Sequence, residues 1–441
     1  MEKPLARVSE ETKQAGEIRF RWKWVEPSIW TDSMLTALEQ GVKGGKWYSL
    51  IDKIASLENL RSAFAEVRRN RGKAGVDHQT IERYEANLTE NLERLSERLK
   101  AGTYTPQAIL RVWIPKPGSH QQRPLGIPTV QDRVAQAAVR HALEPIFERE
   151  FAEHSYGFRP GRGCKDALRA VQRWLNEGYG WVVDADLKSY FDTIPHEGLM
   201  RQVKEKVSDS KVLELIEAYL RQQVMETTKE WIPEQGTPQG AVLSPLLANL
   251  YLNPLDHHLA QQGYRMVRYA DDFVILCQSQ AEAQKALEEV EAWTKAKGLR
   301  LHPEKTRLVE VTPEKGSFDF LGYHFERGHR WPSPKSLKKI KDRLRAKTKR
   351  TQGKSLQAIA EDTNGSLKGW FEYFKHSHPT TFKPLDGWVR MRLRSILRKR
   401  QGRKGRGRGS DHQRWPNTFF AEHGLFSLST AYVLACQSSR R

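Results

Sequence analysis

Only Ala270, Asp271 and Asp272 separate two short, largely apolar runs, residues 266–269 and 273–277. Three residues are too few for a crossover, so the runs pair as an antiparallel hairpin with two adjacent carboxylates at its tip. Asp is common in turns, and an Asp–Asp pair there is usually turn chemistry alone. Here Val267, Phe273, Val274, Ile275 and Leu276 set the pair on a rigid apolar element. Two carboxylates crowded in that way repel one another, and a hard cation such as Mg²⁺ relieves the repulsion.

A third carboxylate at the end of another strand would complete a centre for two metal ions. Residues 181–185 form a short, mostly apolar run, and Asp186 follows it. Ions held about 4 Å apart in such a centre activate a 3′-hydroxyl and stabilise a leaving pyrophosphate. Asp184 and Asp192 compete for the third position. Period-two alternation puts Asp184 and Asp186 on one face of the strand, so spacing does not choose between them.

The rest of the pattern mixes helices and strands. Apolar residues at helical spacing predict helices over 57–71 and 81–100, the second through Ile81, Tyr84, Leu88, Leu92, Leu95 and Leu99. A strand over 108–114 ends at Pro115, Pro117 and Gly118. A long helix is expected over 130–151, an amphipathic helix over 281–297, and a strand pair over 318–325 around Gly322. From 336 to 400 the pattern is helical and basic, and 401–410 is a Gly/Arg linker too poor in apolar residues to fold alone. With no regular βαβ period and no internal repeat, the class is α+β. Residues 161–165 lack phosphate-loop spacing, His257–His258 reads as filler, and Cys277 reads as a small buried hydrophobe. The first 50 residues match no motif, and Trp22, Trp24, Trp30 and Trp47 serve either packing or RNA contact.

Charge is distributed unevenly. The chain holds 73 Lys and Arg against 53 Asp and Glu, and residues 331–441 contain 26 of the first and 7 of the second. Nearly all of the net +20 therefore lies in the last quarter. A solvated basic surface would explain a short cationic run. A concentration this large, with Trp370, Trp388 and Trp415 interleaved, points to nucleic acid, since bases stack on aromatic faces while Lys and Arg take the phosphates. A hydrophobic content of 38% supports a packed core. No run reaches the roughly 18 apolar residues of a membrane helix, and the polar first twenty residues exclude a secretory leader. Cys164, Cys277 and Cys436 are too dispersed for a disulfide scaffold or a zinc finger of paired cysteines. These features lead us to expect a soluble intracellular protein.

Several stretches in order resemble the reverse transcriptases encoded by bacterial group II introns. They are RPLGIP (123–128), HSYGFRPGRG (154–163), DADLKSYFDTIPH (184–196), GTPQGAVLSPLLANLYLNPLD (236–256), YADD (269–272), GLRLHPEKT (298–306), FLGYHF (320–325) and SLKGWFEYFKH (366–376). The resemblance implies a right-hand polymerase. Its parts would be an N-terminal extension (1–56), fingers (57–180), a palm with the hairpin (181–330), a helical thumb or maturase region (331–400), and a basic linker with a DNA-binding tail (401–441). It chooses Asp186 as partner of Asp271 and Asp272, with Leu187 beside them, as holders of two Mg²⁺ ions for which Mn²⁺ can substitute. It makes Phe191 a steric gate and gives Lys116, Arg123, Gln239, Gly240 and Lys305 to the deoxynucleotide. Arg159, Pro238, Trp370, Lys375, Arg390 and Arg394 would meet template or intron RNA, and Arg403, Lys404, Arg406, Arg408 and Arg414 target DNA. The tail (414–432) resembles that of relatives without a His-Asn-His nuclease.

The implied function is RNA-directed DNA synthesis from a primer 3′-hydroxyl, together with binding of the parent intron RNA as a splicing maturase and support of retrohoming. The implied partners are intron RNA, an RNA template with its primer, target DNA and deoxynucleotides, in a bacterial cytoplasmic or nucleoid-bound setting. Two other functions share much of this sequence: a splicing factor with a relic polymerase site, and a reverse transcriptase serving its host in repair or defence.

Overall fold

The computed structural model describes residues 10–115, 122–226, 229–312, 315–326 and 328–438. Eleven strands are found among them, in chain order β1 (Ile109–Pro115), β2 (Gln122–Ile127), β3 (Trp181–Asp186), β4 (Val224–Glu226), β5 (Lys229–Trp231), β6 (Arg265–Tyr269), β7 (Asp272–Cys277), β8 (Arg307–Glu310), β9 (Ser317–Phe320), β10 (Tyr323–Glu326) and β11 (His329–Pro332). They form three sheets, ordered β2-β1-β4-β5, β6-β7-β3-β8 and β11-β10-β9. The class is α+β, as the mixed pattern implies. No helix among the described residues is long and apolar enough to cross a membrane.

The central sheet is antiparallel throughout, and β6 and β7 are the expected hairpin. Its two faces feed different cores, as a period of two requires. Val183, Ala185, Phe273, Ile275 and Cys277 face the larger core, which includes the helices Val130–Glu148 and Ser244–Gln261. Val182, Val274 and Leu276 face a second core with Ala167, Leu168 and Val171 of the helix Cys164–Asn176 and the aromatic side chains of β9 and β10. Asp184 and Asp186 continue the register of Val182, and Asp272 that of Val274. All three carboxylates thus belong to one face, where the second core runs out.

Other expectations need adjustment. The helix expected over 81–100 is two, Ile81–Ala86 and Leu88–Ala101, broken at Asn87, whose φ of −121° is not helical. The N-terminal segment is an integral part of the larger core: Ile18, Trp22, Ile29, Trp30, Leu35 and Leu38 are buried in it. Trp30 is fully buried and donates from Nε1 to the His141 carbonyl at 2.9 Å, so at Trp22 and Trp30 packing is the answer.

No break in packing follows residue 400. Trp415, Phe420 and Leu428 enter the same core as Ile340 and Leu344 of the helix Pro334–Lys347, Leu367 of Leu356–Phe374 and Leu393 of Phe382–Arg400. Polar ties reinforce this. Asp386 accepts from the Leu428 and Ser429 amides at 2.9 and 3.0 Å, capping the last helix, and Asn364 bridges the Gly424 carbonyl and the Phe426 amide at 2.7 and 2.8 Å. The exposed Gly/Arg linker is a loop between two parts of one packed unit.

Candidate active site

Strand register brings the carboxylates together. Asp186, the last residue of β3, lies directly opposite Asp272, the first of β7, and Asp271 precedes it in the turn. The turn requires Ala270 at φ +60°, a left-handed conformation uncommon outside Gly. Arg268 holds it there. Its guanidinium is fully buried and donates to Asp256 at 2.7 and 2.5 Å, to Asn249 Oδ1 at 2.9 Å and to the Ala270 carbonyl at 2.8 Å. Burial works against the charge of Arg268, but Asp256 outweighs it and holds the pKa above its ordinary value. Gly157 packs against the same turn so closely that a Cβ there would lie 2.3 Å from the Ala270 nitrogen.

The carboxylates line a cavity of about 740 Å³, with Asp184, Glu304 and Asp319 adding acid and Lys305, Arg307, Lys335 and Lys339 adding cations. Burial raises the Asp271 carboxyl above its usual range. The Asp272 carboxyl is pushed up to about 7, first by burial and then by the charges of Asp184, Asp186 and Asp271. Lys305 Nζ lies 2.5 Å from Asp186 Oδ2, and Arg307 Nε 3.0 Å from Asp184 Oδ2. Among the described residues, no three His, Cys, Asp or Glu side chains converge closely enough to form a metal-holding group. The donor set nevertheless fits a hard divalent cation, because oxygen ligands suit it and the charge crowding that raises Asp272 is what such an ion relieves. Leu187 is buried beside this set and bridged to Leu301, and since its side chain is apolar, its main-chain oxygen is the one group it could offer a cation.

The three competing aspartates occupy different settings. Asp184 is paired with Arg307, whereas Asp192 accepts from Gln239 Nε2 at 3.2 Å and lines a separate cavity of about 900 Å³ with Pro238 and Arg111. Phe191 is partly buried on the short helix Tyr190–Thr193, and its carbonyl accepts from the Thr237 amide at 2.6 Å. The Gln239 carbonyl accepts from the Gly126 amide at 2.7 Å. Gly240, at φ +107°, is so close to β2 that a Cβ would lie 2.6 Å from the Gly126 oxygen. The 236–240 loop is thereby stitched to β2 and to the helix Tyr190–Thr193.

Arg123 is exposed on β2, opposite Ile114. Lys116 lies outside the described residues. Two arginines expected at RNA are buried instead. Arg159 donates to both Glu148 oxygens and to the Ala152 and Ser155 carbonyls, with its side chain 2% exposed. Arg394 donates to the Trp415 carbonyl and Asn417 Oδ1, both at 2.9 Å, and ties 401–417 to the helix before it. Both guanidinium groups are committed to hydrogen bonds within the fold. Trp370 is partly buried against Phe374, Lys375 pairs with Glu372 at 2.7 Å, and Arg390 is partly buried. Arg403, Lys404, Arg406, Arg408 and Arg414 are exposed. The reading by motif missed Arg268 and the Asp184–Arg307 pair. A charged residue inside the apolar run 266–269 was the available signal for Arg268.

Comparison with known proteins gives two matching family models. "Reverse transcriptase (RNA-dependent DNA polymerase)" matches residues 114–325, and "Group II intron, maturase-specific domain" matches 337–415. The chain is 37% identical over 229 residues to the group II intron-encoded protein LtrA of Lactococcus lactis subsp. cremoris, a match covering 51% of the chain and 38% of LtrA. It is 33% identical over 292 residues to protein YkfC of Escherichia coli K12, covering 57% of the chain and 76% of YkfC. Among solved structures, a partial Cas6-RT-Cas1–Cas2 complex is 28% identical with a TM-score of 0.36, covering 56% of the chain and 41% of that one.

Proposed function

The chain belongs to the group II intron reverse transcriptase and maturase family, and from that premise we propose that it is an RNA-directed DNA polymerase that also binds its parent intron RNA. The observation that carries this is the register pair Asp186–Asp272 with Asp271 beside it, on one sheet face that opens into a cavity. In this reading residues 57–180 are fingers, 181–330 the palm, 331–400 the thumb, and 401–441 a linker and DNA-contacting segment.

Asp186, Asp271 and Asp272, with the Leu187 main-chain oxygen, would hold two Mg²⁺ ions. The ions, when bound, lower the pKa of the primer 3′-hydroxyl and neutralise charge on the leaving pyrophosphate. The chain's own residues supply position. Arg268 fixes the turn that aims Asp271 and Asp272. Lys305, within reach of Asp186, is a mobile cation for the phosphates, and Lys116 and Arg123 clamp the triphosphate from the fingers. Gln239 and Gly240 shape the nucleotide pocket, and the apolar wall of Phe191 rejects a 2′-hydroxyl, since a hydroxyl gains no partner there. In this reading Pro238, Trp370, Lys375 and Arg390 would meet template or intron RNA. The exposed arginines from Arg403 to Arg414 would meet target DNA during retrohoming.

The test is extension of oligo(dT) on poly(rA) with Mg²⁺. The wild-type protein is expected to synthesise DNA, and Asp271→Ala to abolish synthesis while leaving RNA binding in place. Equal synthesis by the variant would overturn the assignment of the site.

A further inference from the structure

Phe158 is nearly half exposed (47%), although it is a Phe between tightly packed neighbours. Its backbone has φ +55°, a conformation that residues with bulky side chains rarely adopt. Such strain persists only where the surroundings impose it, and it clusters at functional sites. Here the imposition is visible on both sides. Gly157 is pressed against the Ala270 turn, and its carbonyl accepts from Asn249 Nδ2 at 2.7 Å. Arg159 is clamped by Glu148 and by two main-chain carbonyls. Between these fixed points Phe158 is turned outward. Its ring meets Phe191 nearly edge-to-face, at 6.5 Å between centroids and 79° between planes, and meets Tyr269 at 6.4 Å.

Building on the polymerase reading above, we propose that Phe158 is a positioning residue for sugar selection: its ring fixes Phe191 in the orientation that closes the space beside the sugar, and registers that orientation to the turn bearing Asp271 and Asp272. A gate on a four-residue helix needs an outside support, because a ring free to rotate leaves room for a hydroxyl. Phe158 gives that support from a segment locked to the catalytic turn, so gate and carboxylates keep one spacing. The ligand concerned is the ribose or deoxyribose of the incoming nucleotide.

The test is single-nucleotide extension of oligo(dT) on poly(rA) with dUTP or UTP, a pair that differs only at the 2′ position. Phe158→Leu and Phe158→Gly should lower the ratio of kcat/KM for dUTP over UTP by roughly three- to tenfold, the size expected from losing one edge-to-face ring contact. Phe158→Tyr, which keeps the ring, should retain the ratio. Glycine accepts a positive φ freely, so Phe158→Gly carries the test even where Phe158→Leu folds poorly. Adding Phe158→Gly to Phe191→Val should lower the ratio no further than Phe191→Val alone. An unchanged ratio in Phe158→Gly, or a loss of dUTP and UTP use by the same factor, overturns the inference and leaves the polymerase reading standing. A wild-type protein that does not extend the primer overturns both.

Discussion

Replacing Arg268 by Met removes four hydrogen bonds at one point and leaves the Asp256 carboxylate, itself fully buried, without a counter-charge. Removing one partner of a buried ion pair costs about 3–5 kcal/mol, because the remaining charge keeps its desolvation penalty. For a folding unit of roughly 150–250 residues this corresponds to a melting point lower by roughly 10 °C. Removing both charges, in Arg268→Met with Asp256→Leu, should restore most of that loss, since neither charge is then stranded. Activity should not return with it. The Ala270 carbonyl still lacks its donor in the double variant, the turn is free to shift, and a misplacement of about 1 Å at reacting groups lowers the rate on the order of a hundredfold. Calorimetry and primer extension on the wild-type protein, both single variants and the double variant give the complete cycle. If Arg268→Met melts with the wild type, the pair is not the strut described here. If the double variant recovers stability and full extension together, the pair only packs and does not aim the carboxylates.

Burial pushes the Glu144 carboxyl up to about 7, against the pull of Arg140 and with help from Glu148 and Glu66. A carboxyl whose folded pKa lies above its unfolded value binds the proton more tightly when folded, so its contribution falls as pH rises from about 4.5 through 7. Glu144→Gln is thus expected to be neutral near pH 4 and to stabilise by up to about 3 kcal/mol near pH 8, read by urea unfolding at both pH values; a constant difference would refute it. Ending the chain after Arg400 removes Trp415, Phe420 and Leu428 from the core they share with Ile340, Leu367 and Leu393, at about 1.5–3 kcal/mol for each large side chain, and strips Arg394 of its partners. Primer extension and the stability of this C-terminal unit should therefore fall together, and a truncated protein melting like the full chain would contradict the shared core. Affinity for poly(rA), measured by fluorescence anisotropy, should fall linearly in log–log terms with salt, with a slope near −0.7 for each phosphate contacted.

The β6–β7 hairpin was legible because its information is local: two apolar runs, a three-residue turn and a period of two were enough to anticipate β6, β7 and the shared face of Asp184 and Asp186. Which aspartate faces Asp272 was not local, since it depends on what β7 places opposite; periodicity left Asp184 and Asp186 open, and the register pairs Asp186 with Asp272. The burial of Arg159 and Arg394 was hidden for a related reason. An arginine read in isolation is a surface cation, and its burial is decided by Glu148 or by the Trp415 carbonyl, which the chain brings back from 11 and 21 residues away. The shared core of the C-terminal segment was hidden in the same way. Trp415, Phe420 and Leu428 are spaced without a helical or strand period, and nothing short of the folded helices shows that they meet.

Phe374, in the last turn of the helix Leu356–Phe374, belongs to the second core with Val182 and Val274 of the central sheet, and the Tyr323 hydroxyl donates to the neighbouring Tyr373 carbonyl at 2.6 Å. The helix is therefore a lever with its fulcrum built into the platform that bears the carboxylates. Nineteen residues give it an arm of about 28 Å. A rotation of about 10° at Phe374 would sweep the far end through about 5 Å on that arm while leaving the fulcrum in place. Such a lever would let its far end shift by several ångströms while the spacing of the carboxylates stays as the sheet sets it.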